Sequence, residues 1–488
     1  MRAAAQGALR FWRTGSVASI AIASRAAALL LAITSDWLLD DHVPSGALVF
    51  HLPPQEHGRL VAQILAPFTR WDAAHLLTVA SDGWGDEEYR HAFFPAYPLL
   101  IRGVARGLAY LHPALGLTAF VSETDLLILS GVLVSNLAFI VAACCLHSLG
   151  KEVLGDGTMA RTAALFFCVT PASVFFSTVY TESAFAASAF GGMLLLERGW
   201  HLMGSVALAF SACCRANGSL NAILLVVPAA ARALIHTSPH EHKHEHGRAA
   251  ARLLPLLLVT ASQVGLVVAP YVGWQVAGYW RVCTSAPNSR ARPLLGQARA
   301  AATPTRVGHL EATTLPSGWC ARGVPDLYAH VQRVYWGVGL FRYFSARQLP
   351  NFVLALPAAL LCASASVATL GRLYARITSA PARLSLRRKL IHALERSEGQ
   401  GSRGDNAMGQ RQLAYLLHWL VLTLFAVLFA NVQITTRLVA SACPPFYWWM
   451  AHLWMGSGSM LARRGLITFV ASYVIFGTVL HSNFYPWT

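Results

Sequence analysis

Six stretches of this sequence, near residues 17–38, 124–147, 253–274, 351–372, 412–431 and 465–481, carry few charges and run for about 20 residues, the length a helix needs to cross roughly 30 Å of hydrocarbon. No other feature narrows the fold so far. A bilayer offers no water to backbone N–H and C=O groups, so each run has to satisfy its own as an α-helix. Five shorter apolar runs, near 162–178, 183–197, 203–214, 220–235 and 446–461, are interrupted by Pro, Gly or a charge. Pieces of this kind are tolerated only where they pack against protein or line a wet cavity. Together the runs predict an all-α polytopic membrane protein of about eleven spans. The first run carries Arg25 and continues into a polar segment without a small-residue cleavage site, so a retained span is expected rather than a signal peptide.

Composition agrees, since 55% of the 488 residues are hydrophobic and only 12% charged, outside the range of soluble domains. A formal charge of +16 would suit nucleic acid if it formed one patch. Here Arg and Lys fall between the apolar runs, which points to cytoplasmic loops and excludes a nucleic-acid partner.

Each span flips the chain, so basic loops test the topology. Within 97–111, Arg102 and Arg106 lie four apart, which suits a helix lying in the interface. If that helix does not cross, Lys151 and Arg161, the basic linkers 236–252 and 373–411, and Arg463-Arg464 all fall inside with the N-terminus. The same parity puts the loop 39–123, the break at Tyr180-Thr181-Glu182, the turn 213–219, the long loop 275–350 and the segment 431–437 outside. Those outer segments hold most of the unusual polar residues, including five carboxylates between Arg70 and Leu100: Asp72, Asp82, Asp86, Glu87 and Glu88. Ionisable groups near a bilayer are functional candidates by default. HEHKHEH at 240–246 alternates His with Glu and Lys and is read as a solvated linker rather than a metal site, as is the Gly/Ser/Arg-rich stretch 392–411. Nine cysteines show no CxxC or Cys/His metal spacing.

RWDAAHLLTVASDGW at 70–84 followed by FFPAYPLL begins a series of motifs: TPASVFFSTVYTESAFA at 170–186, LERG at 196–199, RANG at 215–218, YWGVGLFRYFSARQLPNFVLALP at 335–357, VQITTRL at 432–438 and the final HSNFYPWT. In this order, over most of the chain, the series resembles the GPI mannosyltransferase 2 family. It departs from the family in the polar linkers and at Ala216, where the family more often has Ser. The resemblance implies a single membrane glycosyltransferase domain of the GT-C type, in the endoplasmic reticulum with its site at the lumenal face. It further implies dolichyl phosphate mannose as donor, a mannosyl-glucosaminyl-phosphatidylinositol as acceptor, an α-1,6 bond as product and a small stabilising subunit in some organisms. No cofactor follows with certainty, and the outer carboxylates show no metal-ligand spacing.

On that reading a β-linked donor gives an α-linked product by one displacement, with one carboxylate as base. Asp72 is the expected base, with Trp71 as its interfacial anchor, and Arg70 and Trp71 beside it are candidates to bind substrate. Asp72 is also placed to cap a helix beginning near Ala73, and the two roles are compatible. Asp86, Glu87 and Glu88 are the alternative bases, or acceptor ligands, or solvent-facing acids. Glu182 either lines the site or braces it against Arg215 or Arg437. Arg215, Arg342 and Arg437 are the candidates for the donor phosphate, and Asn217, His330, Gln332 and Asn351 for sugar hydroxyls. Cys283 and Cys320 share an outer loop on what would be the oxidising side, so a disulfide is expected between them. Two other functions fit the residues. One is a mannosyltransferase using the same donor on another acceptor; the other, weakened by large outer loops and no internal repeat, is a transporter.

Overall fold

The structure is a computed structural model that describes residues 14–42, 59–85, 87–111, 113, 121–236, 246–284, 319–320, 323–381, 384–385, 388–389, 410–456 and 459–487. The linker tract 240–245, most of 392–411, much of 275–350 and Asp86 lie outside these residues. In chain order the helices are α1 Val17–Leu38, α2 Arg59–Leu65, α3 Asp72–Asp82, α4 Ala96–Leu111, α5 Glu123–Leu154, α6 Gly157–Cys168, α7 Glu182–Glu197 and α8 His201–Cys214. They continue with α9 Ile223–His236, α10 His246–Tyr279, α11 Leu327–Tyr335, α12 Leu349–Ser379, α13 Gln410–Leu428, α14 Thr435–Ala442, α15 Pro444–Met455 and α16 Met460–Ser482.

Six segments among the described residues are long and apolar enough to cross a membrane: Val17–Leu38, Glu123–Leu154, Ala216–Leu234, Leu253–Cys283, Ala346–Ser379 and Met460–Ser482. This is a multi-pass, all-helical membrane protein. Against the roughly eleven crossings read from hydropathy, the other segments are shorter. The stretches 157–214 and 435–455 fold as helices of 8 to 16 residues. The run at 412–431 stops at Leu428 because 432–434 tightens into a 3-10 turn. The run at 220–235 gains length from the 3-10 turn 216–222 in front of α9.

Local chemistry sets these boundaries. Ser122 and Asp125 form a reciprocal capping box at the start of α5, and Gly155 ends it at φ 67°, a left-handed conformation that glycine adopts without penalty. Asp156 then caps α6 by accepting from the N–H groups of Thr158 and Met159, so the chain doubles back within a few residues. Helices α5, α7 and α8 form the centre of the bundle, lined by small side chains such as Ala184, Ala186 and Ala189. Small residues let backbones approach where hydrocarbon gives no hydrophobic drive between helices. Gly192 and Gly204 let α7 and α8 approach closely, since a Cβ on Gly192 would sit 2.9 Å from the Gly204 carbonyl oxygen.

Arg25, midway along α1, is 3% exposed. Its guanidinium donates to the Ser173 carbonyl at 2.9 Å, the Ser173 and Ser177 hydroxyls at 2.9 Å and the Cys168 carbonyl at 3.3 Å, and lies 3.8 Å from the Phe139 ring centroid. A cation at that depth is tolerated because the break between α6 and α7 frees carbonyls to receive it. Helix α4 has 16 residues, and Arg102 donates from it to the carbonyls of Val79, Ala80 and Ser81 at the end of α3. These contacts tie α4 to the end of α3.

A disulfide joins Cys283 to Cys320, with Cα atoms 5.6 Å apart, beside the small cluster Trp319, Leu327 and Val331. Peptide mapping without reduction should recover the two cysteines as one cross-linked species, resistant to alkylation until a reductant is added. Labelling of both thiols in the untreated protein would rule the bond out.

Candidate active site

Four short segments that parity assigns to one face meet at a cluster of alternating charge. Asp72 opens α3, Glu182 opens α7, Arg215 follows the last residue of α8, and Arg437 lies in the first turn of α14. Both carboxylates sit at helix N-termini, where the helix dipole favours negative charge. The Arg437 Nη2 donates to Asp72 Oδ2 at 2.8 Å, and its Nε donates to Glu182 Oε1. Arg215 Nη1 closes on the same Glu182 oxygen at 2.6 Å. Arg437 also lies 4.9 Å from the ring centroids of Phe175 and Tyr180. One guanidinium fork therefore spans two carboxylates, a task for which the planar donors of Arg are suited.

The two acids differ in access. Glu182 has no exposed side-chain surface, and both arginines hold it, so it is the brace of the cluster. Asp72 keeps 37% of its side chain open toward a cavity of about 630 Å³. Burial works to raise the Asp72 pKa, but Arg437, through charge and hydrogen bond, with His75 and Arg215 behind it, outweighs burial and holds the carboxyl below its ordinary value. The result is a carboxylate, ionised at neutral pH, with one oxygen paired and a face turned to the cavity. The expected capping role is not seen: α3 starts at Asp72 itself, Trp71 occupies the cap position, and no side-chain cap is made.

Asp72 and Arg437 share the cavity wall with Trp71, Arg215, Asn217 and Gln332. The other sequence candidates lie elsewhere. Arg70 is drawn to Asp36, Asp41 and the Ser482 carbonyl. Glu88 faces the Trp319 indole and His330, the latter at 3.6 Å. Glu87 precedes the short turn 88–92. Asn351 donates to the Tyr343 hydroxyl and Gln348, and Arg342 is exposed. Among the described members of the five-acid group, Asp72 alone lines the cavity, because Asp82 turns to Ser81 and solvent. Among the described residues no three His, Cys, Asp or Glu side chains gather as metal ligands would.

Sequence reasoning passed over Tyr180, Gln433, Tyr271, Tyr328 and His481, all of which line the cavity. Three of them sit inside quoted motifs, TVYTES, VQITTRL and HSNFYPWT, where they carried no charge to draw attention. RANG is explained by contact. A Cβ on Gly218 would lie 2.4 Å from the Ala212 nitrogen and 2.5 Å from its Cα, both backbone atoms that cannot yield. Gly218→Ala should therefore push the turn holding Arg215 and Asn217 off α8 and destabilise the protein by about 1–3 kcal/mol. Thermal aggregation of the detergent-solubilised protein reads that shift, and a wild-type profile would refute the contact.

Long apolar helices that deliver paired charges and an aromatic-walled cavity to one end of the bundle define a polytopic membrane enzyme. The sequence model described as Mannosyltransferase (PIG-V) matches residues 14–488. The chain belongs to that family and is a membrane glycosyltransferase. It is 29% identical to the GPI alpha-1,6-mannosyltransferase 2 of Mus musculus, covering 97% of this chain and 98% of that one. It is 28% identical to the protein of the same description from Homo sapiens, with the same coverage. With the GPI mannosyltransferase 2 of Drosophila pseudoobscura it shares 30% over 97% and 99%. Among solved structures it is similar to the archaeal oligosaccharyltransferase AglB from Archaeoglobus fulgidus, at 12% identity and a TM-score of 0.42, over 96% of this chain and 56% of the archaeal one.

Proposed function

We propose that this chain transfers the second, α-1,6-linked mannose from dolichyl phosphate mannose to a mannosyl-glucosaminyl-phosphatidylinositol during GPI-anchor synthesis. The full-length relatives named for that activity support the reaction. The observation that carries the mechanism is Asp72, ionised and half-open to the cavity beside a sealed Glu182. In this reading the acceptor hydroxyl attacks the anomeric carbon, its proton passes to Asp72, and the bond to the phosphate oxygen breaks with inversion. An ion-paired carboxylate is a weak base. It suffices when the sugar carbon develops oxocarbenium character first, so that the hydroxyl proton becomes acidic late in the step.

Arg215 and Arg437 hold the leaving phosphate with the donors that Glu182 and Asp72 leave free. Trp336, Tyr271 and Tyr328 offer ring faces to the two sugars, and Asn217, Gln332 and Gln433 offer amides to their hydroxyls. The site would face the lumen of the endoplasmic reticulum in a GT-C arrangement, with the loops 39–123 and 275–350 on that side and the linkers 236–252 and 373–411 on the other.

Microsomes carrying this chain, in cells lacking their own enzyme for the step, should extend the labelled monomannosyl acceptor by one mannose removable by an α-1,6-specific mannosidase. Transfer to a different acceptor under the same conditions, with none to this one, would overturn the assignment.

A further inference from the structure

We propose that the segment 481–487, the end of α16 and the residues that follow it, is a clamp that positions Asp72 by holding the residue before it in a strained backbone conformation. The inference rests on the reading of Asp72 as base. Trp71 sits at φ 60° and ψ −130°, where a bulky side chain stays only if its surroundings over-determine it. Those surroundings are found largely in one place.

Each residue of Arg70-Trp71-Asp72 is tied to the same segment. Arg70 donates to the Ser482 carbonyl, and its guanidinium stacks 4.6 Å from the Phe484 ring. The Trp71 indole N–H donates to the His481 carbonyl at 3.3 Å, and its ring lies 6.0 Å from that of Phe484. The Asp72 N–H donates to the Tyr180 hydroxyl at 3.2 Å, and that hydroxyl shares a 3.2 Å hydrogen bond with His481 Nε2. Tyr180 thus transmits the position of His481 to the backbone of the base.

The segment is itself anchored. The His42 N–H donates to the Asn483 carbonyl at 2.9 Å, and the Asn483 amide donates to the Val479 carbonyl at 2.7 Å. Trp487 lies edge-on to Tyr473 at 5.3 Å, against the bare face of Gly477, where a Cβ would meet its indole nitrogen at 2.6 Å. Phe484 also holds a left-handed backbone, at φ 57°. If the clamp is loosened, Trp71 relaxes to an ordinary conformation and the helix start that carries the Asp72 carboxylate turns with it.

Phe484 is the decisive position, since it touches Arg70 and Trp71 but does not line the cavity. Phe484→Ala should lower kcat about 10²-fold, as a small misplacement of a reacting group does, with KM for donor and acceptor nearly unchanged. Phe484→Tyr should restore most of the rate. In an Asp72→Asn background the Ala substitution should lower the residual rate no further, because the two changes act through one group.

A wild-type kcat in Phe484→Ala, or the same fold loss in both backgrounds, would overturn the clamp while leaving the base reading intact. Full activity of Asp72→Asn alone would remove the base reading. Should Phe484→Ala fail to accumulate, Tyr180→Phe, which deletes one oxygen, is run through the same cycle. Coupling to Asp72 supports the clamp, and independence or an unchanged kcat rejects it.

Discussion

Asp72→Asn is expected to lower kcat by about 10³-fold, the middle of the range for loss of a positioned base, while the protein stays in the membrane at its normal level. The amide keeps the shape of the side chain and an oxygen for the Arg437 Nη2, and Glu182 still neutralises Arg437 from the other side. The cluster therefore survives the substitution and only the proton acceptor is lost. A variant with wild-type kcat would hand the role to another group. Glu182 is a poor replacement, being sealed between two guanidiniums. Glu87 and Glu88 do not line the cavity, and Glu88 is engaged with Trp319 and His330, so either would have to move to reach it.

The pH dependence has a definite sign. The folded pKa of Asp72 lies below its ordinary value, so its pairing contributes stability that is fully present above the unfolded pKa and is lost as pH falls through the folded one. Activity follows the same carboxylate. Its acid limb should lie below the usual Asp range, and the Asn variant should lack that limb. An acid limb near neutrality would mean that another group sets it.

The helices were legible because hydropathy is a long-range average that one residue cannot hide. Where the sequence fell short was in deciding which runs are full spans, since the breaks at 169–181 and 429–434 are made by backbone turning, the first of them among buried side chains. Of the site, the charged members could be named because charge is rare in this chain: Asp72, Glu182, Arg215 and Arg437 stand out in apolar surroundings. Their pairing could not be read, since residues 72, 182, 215 and 437 are joined only by the fold. Arg70 shows the converse. Its neighbour Asp72 made it a candidate for substrate, yet consecutive residues at a helix start point apart, and its partners are Asp36 and Asp41. Uncharged members such as Tyr180 and His481 carry no signal until the cavity exists.

Arg437→Ala should be the most damaging single change to the fold of the site. It removes the one group that satisfies both carboxylates, leaving Glu182 with Arg215 alone and Asp72 without its ion pair. Removing one partner of a buried pair costs about 3–5 kcal/mol, a large part of the stability of any domain. Little protein should accumulate, and what does should melt early. Arg437→Lys keeps the charge, but a single ammonium cannot fork to both acids, so the protein should accumulate while transfer falls steeply.

The separation between fold and chemistry comes from restoring charge balance. Arg437→Gln combined with Glu182→Gln removes one charge of each sign from the sealed part of the cluster, and replacement of a whole buried pair is often close to neutral for stability. The double variant should therefore recover membrane abundance and melting temperature relative to Arg437→Ala without recovering transfer, because Asp72 has lost the cation that orients it. Recovery of transfer would show that Arg437 serves the fold alone. Normal abundance and melting of Arg437→Ala would show that the ion-pair chain does not hold these helices together.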